Sequence, residues 1–235
     1  MKRTPRVLLP ELPAGGGPAP LDEAAAHHVL RVLRLEPGQA LEALDGRGGR
    51  AGAVLAEGGR RARLDCSPPR SEPEPAPRLE AWLPLIRPER MEWAVEKLTE
   101  LGVATITVYH SERTGDQRRG PGLERLGRVA EAALLQSGNA WRPRLEGPLG
   151  LAELLGRPQS ALVIAQRGGP DWRALEEPPP ALALLAGPEG GFSPAEMQVL
   201  EERRGLLVGL GPHVLRAESA LVLLAGLART LAGHS

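Results

Sequence analysis

From residue 79 onward the hydrophobic residues fall into two alternating patterns. Short continuous apolar runs, Leu79–Ile86, Ala161–Ala165, Ala181–Ala186 and Leu206–Leu210, have the length and composition of strands covered on both faces. The β-branched run Ala104–Tyr109 reads the same way. Between them lie stretches with helical periodicity. Glu89–Leu101 puts Met91, Ala94, Val95, Leu98 and Leu101 on one face and meets Gly102 at its end. Leu123–Gln136 is amphipathic, Pro194–Arg204 has proline just inside its start, and Glu218–Leu231 is strongly apolar. Strands alternating with helices predict an α/β layer domain with a mainly parallel sheet, whose ligands bind outside the carboxyl ends of the strands.

The first third follows a different pattern. Arg6–Leu9 predicts a strand, and Asp22 caps a helix through residues 24–35, with Ala26, Val29, Leu30 and Leu33 as its apolar positions. Pro37-Gly38 ends that helix. Residues 39–66 then predict three short strands joined by turns at Asp45-Gly46, Gly48-Gly49 and Gly58-Gly59, which suggests a small β-barrel. Residues 67–78 hold five prolines with alternating charges and read as an extended linker. The expected organisation is therefore a β-barrel over 1–66, a linker over 67–77 and an α/β domain over 78–235.

Composition narrows the class. The chain has 235 residues, 42% hydrophobic and 25% charged, as in ordinary globular proteins. A single cysteine, Cys66, excludes an internal disulfide and a cysteine-cluster metal site, and it reads as a small apolar filler. No apolar run approaches the roughly 18 residues of a spanning helix, and the N-terminus is a poor secretion signal. The expectation is a cytoplasmic, metal-free protein. Net charge is zero, so no global field marks a nucleic-acid partner. Only Lys2 and Lys97 are lysines; the remaining basic residues are arginines, which hold phosphates bidentately and stack on bases but also reflect base composition of the genome.

Candidate chemistry sits in three loops that follow strands: residues 165–170 (AQRGGP), 186–196 (AGPEGGFSPAE) and 210–219 (LGPHVLRAES). Glycines in each allow close approach of backbone to a ligand. Glu189 in the second, and Arg216 with Glu218 in the third, bring charge beside apolar strands. Taken alone, the second loop is a tight turn before a helix and the third holds a surface pair at a helix start. In order, each after an apolar strand, they indicate a site. There is no dinucleotide G-x-G-x-x-G, no P-loop and no G-x-S-x-G elbow. His27 and His28 are adjacent on a helix and do not form a metal pair. His213 stands alone in the third loop.

Residues 184–197 (LLAGPEGGFSPAEM) and 210–227 (LGPHVLRAESALVLLAGL) resemble the ribosomal RNA small subunit methyltransferase E family, the 16S rRNA (uracil-N3)-methyltransferases of the SPOUT class. The likeness extends to residues 89–114 (ERMEWAVEKLTELGVATITVYHSERT) and 27–49 (HHVLRVLRLEPGQALEALDGRGG), and so from about residue 6 to residue 230. It implies a SPOUT-type α/β domain with a C-terminal trefoil knot, preceded by a PUA-like RNA-binding barrel. It also implies a homodimer, and 16S rRNA within the small ribosomal subunit as substrate. Knots are otherwise nearly absent from proteins, so periodicity alone gives no ground for one.

By the same resemblance the cofactor is S-adenosylmethionine, with Ala165 and Gln166 of the first loop, Gly187, Pro188, Glu189, Gly190 and Gly191 of the second, and Leu210, Gly211, Val214, Leu215 and Arg216 of the third as its candidate contacts. Methylating N3 of uridine requires removal of the N3 proton, which suits a carboxylate, and stabilisation of the resulting anion, which suits a guanidinium. Arg216 is the candidate for the second role and Glu218 for the first, with Glu189 its rival. RNA contacts are expected from Arg31, Arg34, Arg113, Arg118 and Arg119, and the target base must leave any pair it is in. The sequence departs from the family at Ala217, where threonine is usual, at His213, where arginine is common, at Gln166, and at Asn139 in the segment LLQSGN. Three other readings compete: a SPOUT ribose 2′-O-methyltransferase, whose early Asn-x-Gly-x-x-x-Arg motif is missing; a non-catalytic RNA-binding assembly factor; and a small-molecule α/β enzyme with an accessory barrel.

Overall fold

The computed structural model describes residues 4–114, 120–157, 161–171 and 179–232. The chain divides into two compact units. The first holds residues up to Glu74 together with Leu134–Arg142; the second holds Pro75–Ala133 and everything from Pro143 on.

The first unit is built on a mixed sheet of six strands: β1 (Arg6–Leu8), β2 (Gly17–Pro20), β3 (Ala40–Leu44), β4 (Gly49–Glu57), β5 (Arg63–Cys66) and β6 (Arg70–Ser71). The pairing path runs β1-β3-β4-β5-β2, with β6 also on β4; β1 lies parallel to β3 and the other pairs are antiparallel. Alternate residues turn inward. Leu41 and Ala43, Ala51, Ala53 and Leu55, and Leu64 with Cys66 form one core with Val7, Ala25 and Val29. The Cys66 thiol is a filler of this core, its pKa pushed up by burial and then by Asp65. The strand β2, GPAP, carries no hydrophobic alternation strong enough to see in sequence. Its prolines are tolerated because it pairs on one side only, with β5.

Asp22 caps α1 (Glu23–His27) as expected, its Oδ1 accepting from the Ala25 N–H at 2.8 Å. The helix does not continue regularly to residue 35. It passes into a π-turn, His28–Val32, and Arg34 adopts a left-handed φ of 55°.

The expected linker over 67–77 is corrected in its first half. Arg70–Ser71 pairs with Gly49 and Arg50, and the Glu72 N–H donates to the Gly48 carbonyl at 2.8 Å, so these residues belong to the first unit. Segment 134–142 joins it as well, although it lies far along the chain. Arg6 donates to the Leu135 carbonyl (3.1 Å), Arg50 to the Gly138 carbonyl (2.7 Å), and the Trp141 indole to the Glu72 carbonyl (3.1 Å). Each closes a backbone acceptor with a side-chain donor, contacts that a linear reading does not reveal.

The second unit carries β7 (Arg78–Pro84), α2 (Pro88–Glu100), β8 (Thr105–His110), α3 (Leu123–Ser137, whose last turn is counted in the first unit), β9 (Arg144–Gly150), α4 (Leu151–Gly156), β10 (Ala161–Ala165), β11 (Ala181–Ala186), α5 (Pro194–Glu202), β12 (Leu206–Val208) and α6 (Ala217–Ala232). Its sheet has the order β12-β10-β11-β7-β8-β9, and every pair is parallel. Both faces are covered. Leu79, Ala81 and Leu83 of β7 face a core shared with Met91, Val95 and Leu98 of α2 and Leu221, Leu224 and Ala228 of α6. Trp82 faces the opposite core with Tyr109, Leu154 and Leu200. β9 and α4 were not expected. The β9 sequence RLEGPLG contains Gly-Pro and lies at the sheet edge, where its pattern is only half-buried and an interior proline is tolerated.

Candidate active site

The three loops foreseen from sequence do converge, at the carboxyl ends of β10, β11 and β12. Backbone closure brings them together. The Gln166 N–H donates to the Val208 carbonyl at 2.9 Å and the Gly209 N–H to the Pro170 carbonyl at 2.7 Å, so the loops after β10 and β12 lie against each other. The glycines at the crossing are required by space: a Cβ on Gly209 would stand 2.4 Å from the Gly169 carbonyl oxygen. The second loop turns tightly, with the Gly191 N–H donating to the Pro188 carbonyl at 2.8 Å and Gly191 at a φ of 67°. It then enters α5 through a capping box. The Ser193 hydroxyl accepts from the Glu196 N–H (3.1 Å), and the Glu196 carboxylate accepts from the Ser193 N–H (2.8 Å).

Together these loops wall a cleft of about 670 Å³. Of the residues expected from sequence to contact the cofactor, Ala165, Gln166, Gly187, Pro188, Glu189, Gly191, Val214, Leu215 and Arg216 line it. Leu210 and Gly211 line a smaller adjoining cavity of about 100 Å³, which His213 also borders. Val214 is 72% exposed and Leu215 37%, so two aliphatic side chains face open space at the mouth of the cleft. Phe192, which also lines the cleft, packs on Gly187, where a Cβ would meet its ring at 3.1 Å.

Other expected residues fall elsewhere. Gly190 lines neither cavity; its carbonyl accepts from Arg113 Nη1 at 3.3 Å. Arg113, expected to contact RNA, is exposed and reaches the second loop through this bond. Glu218 lines neither cavity and is only 5% exposed, in the first turn of α6. Arg31 and Arg34 are exposed in the first unit, and Arg118 and Arg119 lie outside the described residues. The residue that sequence reasoning missed is Arg90. It lies in the first turn of α2, lines the cleft, and pairs with Glu189 and with Glu218. As a charged residue off the apolar stripe of an amphipathic helix it looks like ordinary solvated surface. It lies inside the family-like segment 89–114, but nothing in that segment singles it out.

Below the cleft, the Tyr109 hydroxyl donates to the Ala186 carbonyl at 2.7 Å and fixes the end of β11. Burial, and secondarily the Glu196 carboxylate, push the Tyr109 pKa well above its ordinary value. The neutral phenol is therefore favoured by the fold. Its contribution to stability is complete below the unfolded value near 10 and is lost as pH rises above it. Tyr109 is the single tyrosine of the chain, so phenolate absorbance reports on it alone. That absorbance is expected to appear together with alkaline unfolding. Tyr109→Phe should remove this alkaline term and cost about 1–3 kcal/mol at neutral pH, because the Ala186 carbonyl loses its donor.

A larger cavity of about 890 Å³ also borders α5, through Ala195, Glu196 and Val199. Of the two glutamates that line it, Glu112 and Glu196, the second is already engaged, since both Glu196 oxygens accept backbone N–H groups, from Ser193 at 2.8 Å and Glu112 at 2.9 Å. Among the described residues no His, Cys, Asp and Glu groups are arranged to hold a metal ion, and no helix is long and apolar enough to cross a membrane.

The family model of the RNA methyltransferase domain matches residues 72–229, and that of the RNA methyltransferase PUA domain matches residues 21–64. The class is thus an RNA methyltransferase domain joined to a PUA domain. Among relatives, the ribosomal RNA small subunit methyltransferase E of Mycobacterium tuberculosis is 30% identical over 230 residues, covering 92% of this chain and 87% of that protein. The protein of the same name from Bacillus subtilis is 30% identical over 147 residues, 56% of this chain and 57% of that one. The crystal structure of a ribosomal RNA small subunit methyltransferase E from Neisseria gonorrhoeae, bound to S-adenosyl methionine, matches with a TM-score of 0.86 at 27% identity, over 97% of this chain and 98% of that one. The chain belongs to the ribosomal RNA small subunit methyltransferase E family.

Proposed function

We propose that this chain methylates N3 of a specific uridine in 16S ribosomal RNA, with S-adenosylmethionine as methyl donor. The observation that carries the reading is the cleft itself: three strand-end loops meet around exposed aliphatic side chains, a glycine-rich turn, a carboxylate and guanidinium groups. These residues fit the donor. Val214 and Leu215 offer an apolar face for an adenine ring, and the backbone of residues 187–191 offers polar groups at close range. When bound, S-adenosylmethionine supplies an electrophilic methyl group, whose bond to sulfur breaks as the bond to N3 forms.

The chain's own residues manage the proton and the charge. Of the two carboxylates considered from sequence, Glu189 lines the cleft and is exposed to it, whereas Glu218 is buried away from it. We assign Glu189 as the acceptor of the N3 proton; the N–H electron pair stays on nitrogen for the new bond. Arg216, which lines the same cleft, is exposed and has no side-chain partner among the described residues, is assigned to the negative charge developing on the uracil oxygens. Exposed Arg31 and Arg34 support the PUA-containing unit as an RNA-binding surface. The small ribosomal subunit as substrate, a homodimeric state, a cytoplasmic location and a trefoil knot belong to the same reading. Supporting the knot, β12 lies beyond β10 at the sheet edge, yet the following α6 packs back on β7, β10 and β11.

Incubation with labelled S-adenosylmethionine and small ribosomal subunits lacking the modification, followed by nucleoside mass spectrometry, tests this. N3-methyluridine is the expected product. A 2′-O-methylated nucleoside would mean a different target atom, and cofactor binding without transfer would overturn the catalytic reading in favour of an RNA-binding factor.

A further inference from the structure

Two glutamates from separate motifs meet one arginine from a third. Glu189 comes from the loop after β11, Glu218 from the first turn of α6, and Arg90 from the first turn of α2. Arg90 Nη1 pairs with Glu189 Oε1, and Arg90 Nε lies 3.8 Å from Glu218 Oε1. Exposure falls steeply along this line. The side chain of Glu189 is 53% exposed, that of Arg90 18% and that of Glu218 7%.

The inner end of the line is buried between packed helices. α2 and α6 pack against each other, and Glu218 sits at the amino end of α6, where the helix dipole favours a negative charge. A carboxylate this deep is tolerated only with a charged partner, and Arg90 supplies it. The outer end is a turn of Gly187, Gly190 and Gly191, whose backbone has little intrinsic stiffness. A guanidinium fixed from behind and paired in front is a device for holding that turn's carboxylate in one place.

We propose that Arg90, oriented by Glu218, is the positioning residue that sets the Glu189 carboxylate for proton transfer. The inference rests on the assignment of Glu189 as proton acceptor. In that step the N3–H bond breaks, an O–H bond forms on Glu189 and the electron pair remains on N3. Neutralising Glu189 removes one partner of a mostly buried guanidinium, and Glu218 is the second partner that keeps its charge compensated. A lysine at position 90 keeps the charge but not the planar fork that reaches both carboxylates.

A double-mutant cycle between Arg90→Gln and Glu189→Gln, read by single-turnover methyl transfer and by calorimetric S-adenosylmethionine binding, tests the proposal. Arg90→Gln is expected to slow transfer on the order of 10²-fold while changing cofactor affinity by less than about threefold. Arg90→Lys should recover about tenfold of that loss. In the Glu189→Gln background, Arg90→Gln should cost less than about threefold more, because its action passes through the missing carboxylate. Equal losses in both backgrounds, or a loss of cofactor affinity as large as the loss of rate, would overturn it. Hydrogen exchange of the 187–191 amides in the full chain, without substrate, gives a readout that does not need activity. Exchange should quicken in both Arg90→Gln and Glu218→Gln. Unchanged exchange defeats the positioning role, whereas absence of transfer by the unaltered chain defeats only the functional reading on which it rests.

Discussion

Glu189→Gln is expected to lower single-turnover methyl transfer by about 10²–10⁴-fold, the usual contribution of a positioned general base. The substitution preserves shape and hydrogen-bonding reach but removes the capacity to take a proton at near-neutral pH. Glu189 borders the cleft with its side chain half open to it, so a target base can reach it without displacing core. Binding of S-adenosylmethionine should change little, since the glycine-rich turn and the Val214–Leu215 face remain. A rate loss with unchanged affinity is the signature of an interaction made chiefly in the transition state. If affinity and rate fall together, Glu189 is a cofactor ligand and the proton must go elsewhere. Glu218→Gln separates the two glutamates. Its effect should follow that of Arg90→Gln, because among the described residues Glu218 meets the cleft through that arginine.

What the sequence made legible, and what it did not, follows from the range of the forces involved. β10 and β11 were readable to the residue because a strand buried on both faces must be continuously apolar, and Gly and Pro punctuate its ends. The loops after β10, β11 and β12 were readable as a site for a related reason. Charge and glycine directly beyond an apolar strand have no structural purpose in a core. By contrast, β2 and β9 carry Pro and Gly-Pro within edge strands, where one-sided pairing relaxes the hydrophobic pattern. The helix after Asp22 began where its cap predicted, but its passage into a π-turn, within which Val29 is buried in the first unit's core, leaves no mark in the local hydrophobic period. The linker was misjudged because proline density marks extended chain, and an extended chain can still pair with a neighbouring strand, as Arg70–Ser71 does with Gly49 and Arg50 and as the Glu72 N–H does by donating to the Gly48 carbonyl. Arg90 was hidden for a stronger reason. Its partners Glu189 and Glu218 lie on other elements, and no local period carries information about an ion pair made across the sheet's end.

Gly209→Val should have the largest effect on cofactor affinity of any change outside the cleft's polar groups. The Cβ at this position would stand 2.4 Å from the Gly169 carbonyl oxygen and 3.4 Å from that of Pro170, and both obstacles are backbone. Neither can swing away as a side-chain tip would. The two loops are also tied at this point, with the Gly209 N–H donating to Pro170 at 2.7 Å and Asp171 bridged to Gly209. Relief therefore requires the loops after β10 and β12 to part, carrying Leu210, Gly211, Val214 and Leu215 with them. Overpacking of this kind costs about 1–3 kcal/mol, which appears as a Tm lowered by roughly 2–10 °C. If binding must close the loops again, affinity for S-adenosylmethionine falls by roughly 10- to 100-fold. Gly226→Ala supplies the contrast. Gly226 lies inside α6, its added Cβ would meet nothing within 4 Å, and alanine should stabilise the helix by about 0.5–1 kcal/mol without touching the cleft. Opposite shifts in Tm for the two variants, with cofactor affinity lost only in Gly209→Val, would show that the crossing of the two loops, and not glycine content as such, forms the donor site. Equal affinities in the two variants would mean that the loops part without consequence and that Val214 and Leu215 do not hold the cofactor.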